Sequence, residues 1–121
     1  MKVLMLNGSP RSNGNTAIAL REMEAVFREA GVETEIVQVG NKAIRGCIAC
    51  GRCYETGRCV FEDAVNELAP KLEEADGLVV ASPVYYASAN ATLIACECVI
   101  IGTTQEKLDF KRVSSACPYF H

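Results

Sequence analysis

The sequence predicts an α/β fold, a doubly wound parallel sheet in three α/β/α layers. Three observations predict it. Val3–Leu6 and Leu78–Ala81 are short, unbroken apolar runs, the pattern of strands buried on both faces of a parallel sheet. Residues 33–39 alternate polar and apolar, with β-branched Ile36, Val37 and Val39, and read as a strand less deeply buried than the first. A helical pattern joins the first two, so strand, helix and strand make a right-handed crossover unit.

The first strand runs into a loop of small and polar residues, Gly8, Ser9, Pro10, Ser12, Asn13 and Gly14, and a helix follows from about Asn15. Such a junction makes an anion site, because free backbone N–H groups and the positive end of the helix dipole converge there. Ser9, Ser12 and Thr16 add hydroxyls, Asn13 and Asn15 add amides, and Arg11 adds a fork-shaped cation. A nucleotide-hydrolase loop requires a lysine where Asn15 stands, and the dinucleotide fingerprint G-x-G-x-x-G is missing. A terminal phosphate monoester fits this donor set best. The plain alternative is a capped strand-to-helix turn without a ligand.

Along the helix, Ile18, Leu20, Met23, Val26, Phe27 and Ala30 are expected to pack on the sheet. Arg21, Glu22, Glu24, Arg28 and Glu29 mostly face water, and Gly31 stops the helix. Residues 40–60 read as a loop rich in chemistry. Cys47, Cys50, Cys53 and Cys59 give C-x2-C-x2-C-x5-C. This compact spacing suits an iron–sulfur cluster. Structural zinc more often takes two separated pairs, and thiols without metal, packed or redox-active, are the third reading.

Residues 61–75 read as a helix with Val65, Leu68, Leu72 and Ala75 on one side and Glu62 and Asp63 at its positive end. Pro70 is expected to kink it or to open a second short helix. The third strand follows, and Ser82-Pro83-Val84-Tyr85-Tyr86 leaves its carboxyl end. Ligands of open α/β sheets bind beyond those ends, so this loop is expected to face residues 8–16. Pro83 stiffens it, and Val84, Tyr85 and Tyr86 offer amides and rings to a flat ligand. A buried aromatic turn without a ligand is the alternative.

The loop G-S-P-R-S-N-G-N-T and the stretch S-P-V-Y-Y-A-S-A-N-A-T-L resemble the two FMN loops of the flavodoxin-like NAD(P)H-dependent FMN reductases and the related iron–sulfur flavoproteins. The resemblance implies that Ser9, Arg11, Asn13, Asn15 and Thr16 hold the FMN phosphate. It implies that Pro83, Val84, Tyr85 and Tyr86 lie along the isoalloxazine ring. The iron–sulfur flavoproteins carry a similar compact cysteine motif, which points to Cys47, Cys50, Cys53 and Cys59 as ligands of a [4Fe-4S] cluster. The family commonly forms homodimers with flavin near the interface.

The resemblance covers residue 1 to about Ala95 and then stops. From Ala89 a helix begins, with Thr92, Leu93, Ile94 and Ala95, and Val99–Ile101 reads as a strand interrupted by Gly102. The later strands and helices of the family are not readable. The chain is therefore expected to be a partial FMN-binding domain, 1–95, with a divergent tail of the same domain, 96–121, and a sheet incomplete at its C-terminal side. Cys96 and Cys98 are expected in the core, and His121 is expected to be inert.

A chain of 121 residues makes one domain, and 50% hydrophobic with 22% charged residues is ordinary for a soluble globular protein. A net charge of −3 argues against a nucleic-acid partner. No apolar run is long enough for a membrane span, and no signal peptide is readable, so a cytoplasmic location is expected. There, seven cysteines are thiols, ligands or redox groups rather than a disulfide framework.

The expected function is an FMN-dependent oxidoreductase. It passes reducing equivalents from NAD(P)H through FMN to a small-molecule or protein acceptor, with no protein acid, base or nucleophile. The alternatives are a non-enzymatic electron carrier holding FMN, a cluster or both, and an incomplete fold that binds no flavin.

Overall fold

The computed structural model describes residues 1–103. Three strands, β1 (Lys2–Asn7), β2 (Glu33–Gln38) and β3 (Gly77–Ala81), form a parallel sheet in the order β2-β1-β3. The first strand is therefore central, as the flavodoxin order requires. Lys2 and Asp76 lock its start to β3: Lys2 N–H donates to the Asp76 carboxylate and Asp76 N–H donates to the Lys2 carbonyl, both at 2.8 Å.

Helices cover both faces of the sheet, and the alternation of β1 divides its side chains between them. Leu4 and Leu6 pack with Val65, Leu68 and Leu72 of α3 (Ala64–Glu74) and with Leu93, Cys96 and Val99 of α4 (Ala91–Thr103). Val3 and Met5 pack with Leu20 and Phe27 of α1 (Asn15–Glu29). The stripe of α1 that meets the sheet is Ala17, Leu20 and Phe27. Leu20 and Phe27 lie there as expected, whereas Ile18, Met23, Val26 and Ala30, also expected inside, are exposed. Glu24 shares the edge of the stripe, paired with Arg28 and Thr34.

Four further elements differ from expectation. Within residues 40–60 a short helix α2 (Arg52–Thr56) forms between Gly51 and Gly57, both left-handed, too brief to show a period. Pro70 does not open a second helix, the second of the two outcomes expected for it; one helix runs through it, begun by Asp63, whose carboxylate accepts from Val65 N–H. The third strand is only half buried. Leu78 and Val80 are 43% and 39% exposed although they pair in register with Leu4 and Leu6. An apolar run is buried only if something lies beside it, and no described strand pairs with the outer edge of β3.

The last difference is α4. Val99–Ile101 is helical, not a strand, so it does not fill a fourth sheet position. Leu93, Cys96 and Val99 recur at three-residue spacing and are 1%, 0% and 5% exposed. Burial of that stripe outweighs the β propensity of the Val-Ile-Ile run. Residues 104–121, with Cys117 and His121, lie outside the described residues, as does the side chain of Cys98, expected in the core.

Candidate functional site

The junction of β1 and α1 is folded by its own polar side chains. Asn7, the buried last residue of β1, accepts from Ser9 N–H through Oδ1 at 2.9 Å. Ser9 Oγ in turn accepts from Arg11 N–H at 3.1 Å. These two short-range turns bend the chain back at the top of the sheet. Neighbouring strand ends hold it there: Gly8 N–H donates to the Ala81 carbonyl at 2.7 Å, and Gln38 Nε2 donates to the Ser9 carbonyl at 3.0 Å.

The helix that follows is left open at its start. Gly14 is the N-cap and provides no side-chain acceptor. The N–H groups of Asn15, Thr16 and Ala17 thus have no acceptor among the described residues, and they add to the positive end of the helix dipole. The Arg11 side chain is exposed and makes no ion pair among the described residues, whereas Arg21 is committed to Asn13 Oδ1 at 2.8 Å. Ser9 keeps its hydroxyl proton to donate, and Asn13 keeps its amide N–H2. Donors in excess and one unpaired cation suit a phosphate monoester.

Beside this loop, a two-stranded hairpin rises from the carboxyl end of β3. β4 (Val84–Tyr85) pairs antiparallel with β5 (Ser88–Ala89), and Tyr86 and Ala87 form the two-residue turn. Their φ angles are +48° and +59°, the left-handed conformation that such tight hairpins require and that side chains other than Gly, Asn and Asp disfavour. Val84, Tyr85 and Tyr86 are exposed and Pro83 is half-buried. Rings held on a strained, tightly closed hairpin next to an anion site are suited to lie against a flat ligand whose phosphate is bound by the loop.

Asn7, Gln38, Ser82 and Asn90 build the site without having stood out in the sequence. Asn7-Gly8-Ser9 is an Asx-turn pattern, and Asn90 just before a helix is an N-cap pattern, so both carried a local signal. Gln38 carried none, because its role depends on how β2 ends beside the loop.

The cysteine segment lies apart from these two loops in sequence and in hydrogen bonding. Cys47 and Cys50 are exposed, and Cys53 and Cys59 are half-buried. Cys59 is anchored: Asn66 accepts from its N–H at 2.9 Å and donates to its carbonyl at 3.1 Å. Among the described residues, no three Cys, His, Asp or Glu side chains converge as a metal ion requires. The spacing suits a cluster, but the thiols are not gathered in this geometry. Cys96 stands elsewhere, inside the core, where burial and the charges of Glu97 and Asp63 push its thiol up to about 12.

No described helix is long and apolar enough to cross a membrane. The chain is 42% identical over 93 residues to an iron-sulfur flavoprotein of Methanocaldococcus jannaschii, covering 77% of this chain and 48% of that protein. It is 37% identical over 95 residues to an iron-sulfur flavoprotein of Methanosarcina thermophila, covering 78% and 50%. The chain thus spans about half the length of the curated relatives it matches. Among solved structures it is similar to RosB, whose crystal structure holds the intermediate 8-demethyl-8-formylriboflavin-5′-phosphate; the TM-score is 0.62 at 26% identity, over 90% of this chain and 43% of RosB. The apo form of the NADH:FMN oxidoreductase EmoB shares the fold, with a TM-score of 0.56 at 22% identity over 81% of this chain and 49% of EmoB. The model of the NADPH-dependent FMN reductase family matches residues 1–96, and the chain belongs to that family.

Proposed function

We propose that this chain builds the FMN-binding part of an oxidoreductase that draws reducing equivalents from NAD(P)H and delivers them to a small-molecule or protein acceptor. One observation carries the reading: an anion site with free N–H donors and an unpaired Arg11 lies beside an exposed aromatic hairpin, both at the carboxyl ends of parallel strands. Family membership and the flavin phosphate bound by RosB support it. When bound, FMN supplies hydride and single-electron chemistry. The chain's own residues bind and orient it. Ser9, Arg11 and the N–H groups of Asn15 to Ala17 hold the phosphate, with Asn13, Asn15 and Thr16 at its rim. Pro83, Val84, Tyr85 and Tyr86 carry the ring.

The testing experiment is titration with FMN and with riboflavin. Arg11→Ala is expected to weaken FMN by about 1.5–3 kcal/mol, the range of a charged hydrogen bond, and to leave riboflavin nearly unchanged. Equal loss for both ligands, or none, refutes the phosphate assignment. Stopped-flow mixing with NAD(P)H then separates a reductase from a carrier that NAD(P)H does not reduce.

The cysteine spacing and the iron-sulfur flavoprotein relatives favour a second element of this function, a [4Fe-4S] cluster on Cys47, Cys50, Cys53 and Cys59. It requires the segment to close around the cluster. Anaerobic reconstitution is expected to yield stoichiometric iron and sulfide, mostly lost on any single Cys→Ala; absence of iron assigns these residues as plain thiols.

A further inference from the structure

The two loops of the proposed site are 82 residues apart in sequence at the point where one side chain joins them. Asn90 Nδ2 donates to the Gly8 carbonyl at 2.7 Å. The same side chain caps α4, its Oδ1 accepting from Thr92 N–H at 3.2 Å. Its backbone N–H donates at 2.8 Å to Ser82 Oγ, whose hydroxyl in turn donates to the Pro83 carbonyl at 2.8 Å. Asn90 is therefore fixed at the foot of the hairpin by its backbone N–H and at the start of α4 by its Oδ1, and it reaches the loop after β1 through the single Nδ2 bond. The first turn of α4 also rests on Gly8: a Cβ there would stand 2.6 Å from Leu93 Cδ2.

We infer that Asn90 is a positioning residue that sets the distance and angle between the phosphate loop and the ring hairpin. The inference rests on the FMN reading above. A ligand that spans both loops gains from their fixed geometry, because binding at one end presents the other end at high effective concentration. A fragment that touches one loop gains nothing from the tie. The side chain also has two separable functions. Its oxygen caps the helix, and aspartate does this equally well. Its N–H2 ties the loops, and aspartate cannot.

The experiment compares wild-type protein with Asn90→Asp and Asn90→Ala, using FMN, riboflavin and inorganic phosphate as probes. N90D is expected to keep the helix cap, to melt above N90A, and to bind FMN about tenfold more weakly. Affinity for riboflavin in both variants, and for inorganic phosphate in N90A, which adds no charge beside the anion site, is expected to stay within about twofold of wild type. N90A is expected to lose FMN affinity likewise and also to melt lower, since the cap goes too. Faster amide hydrogen exchange at residues 8–14 of N90D without ligand is expected from the same tie. N90D affinity for FMN within about twofold of wild type overturns the inference, as does a parallel loss for all three probes. If wild-type protein binds no FMN, the reading of the site fails; unchanged exchange at residues 8–14 in N90D then overturns the tie as well.

Discussion

Gly40 lies against Ser9 so closely that a Cβ built on it would stand 2.3 Å from the Ser9 carbonyl carbon and 2.4 Å from its oxygen. The chain after β2 is thus pressed onto the backbone of the loop that follows β1, and Gly40 N–H and Val39 N–H both donate to the Asn7 carbonyl. No flexible side chain can yield there, because the neighbours are main-chain atoms. Gly40→Ala is expected to displace residues 8–9 and to destabilise the fold by about 1–3 kcal/mol, the ordinary cost of overpacking. Urea denaturation measures the cost. A variant as stable as wild type shows that the loop gives way easily.

The hairpin turn stores strain at Tyr86 and Ala87, both left-handed. Each non-glycine residue there costs about 1–2 kcal/mol. Replacing the pair by Asn-Gly, the preferred dipeptide of such turns, is expected to raise stability by about 1–2 kcal/mol in a thermal or denaturant melt. It removes the Tyr86 ring, so FMN affinity is expected to fall while stability rises. A rise in both places the ring away from the ligand.

Cys96 links stability to alkaline pH. Its thiol ionises near 9.0 when unfolded and near 12 in the core. Above about pH 9 the unfolded chain therefore releases a proton that the folded chain keeps, and protons bound to the native state are lost to unfolding. The contribution of this group is full below about pH 9 and declines as pH rises toward 12, by at most about 1.4 kcal/mol per pH unit. Urea midpoints measured across that range are expected to fall less steeply for Cys96→Ala than for wild type. Parallel slopes show that Cys96 does not contribute.

The outer edge of β3 carries Leu78 and Val80, both exposed, and no charge within Gly77–Ala81. An uncharged, apolar strand edge invites pairing with another chain. Self-association is expected, visible as concentration-dependent mass in sedimentation. Leu78→Lys and Val80→Lys are expected to reduce it without unfolding the protein, because both side chains already reach solvent. Unchanged association in both variants moves the contact elsewhere.

The central strand, both flanking strands and the turn-rich loop between β1 and α1 were legible because each rests on neighbours in sequence. An apolar run, a two-residue alternation and a cluster of turn residues before a helix are local patterns. The phase of α1 was legible in part: Leu20 and Phe27 were expected on the sheet and lie there. Apolar type alone does not separate Ile18, Met23, Val26 and Ala30 from Ala17, Leu20 and Phe27. Only the position of the sheet selects the second set. Val99–Ile101 was misread for the same reason: its local preference is extended, and the core contacts of Leu93, Cys96 and Val99 decide for helix.

The sequence by itself determined the parallel α/β order, the family and the donor set offered to a phosphate, since these follow from residue types at fixed short spacings. The tertiary structure alone decided which donors remain free. It committed Arg21 to Asn13 and left Arg11 unpaired, joined Asn90 to Gly8, and left Leu78 and Val80 uncovered. Those outcomes depend on groups far apart in the chain competing for the same partners, and that competition is settled only when the strands and helices are packed together.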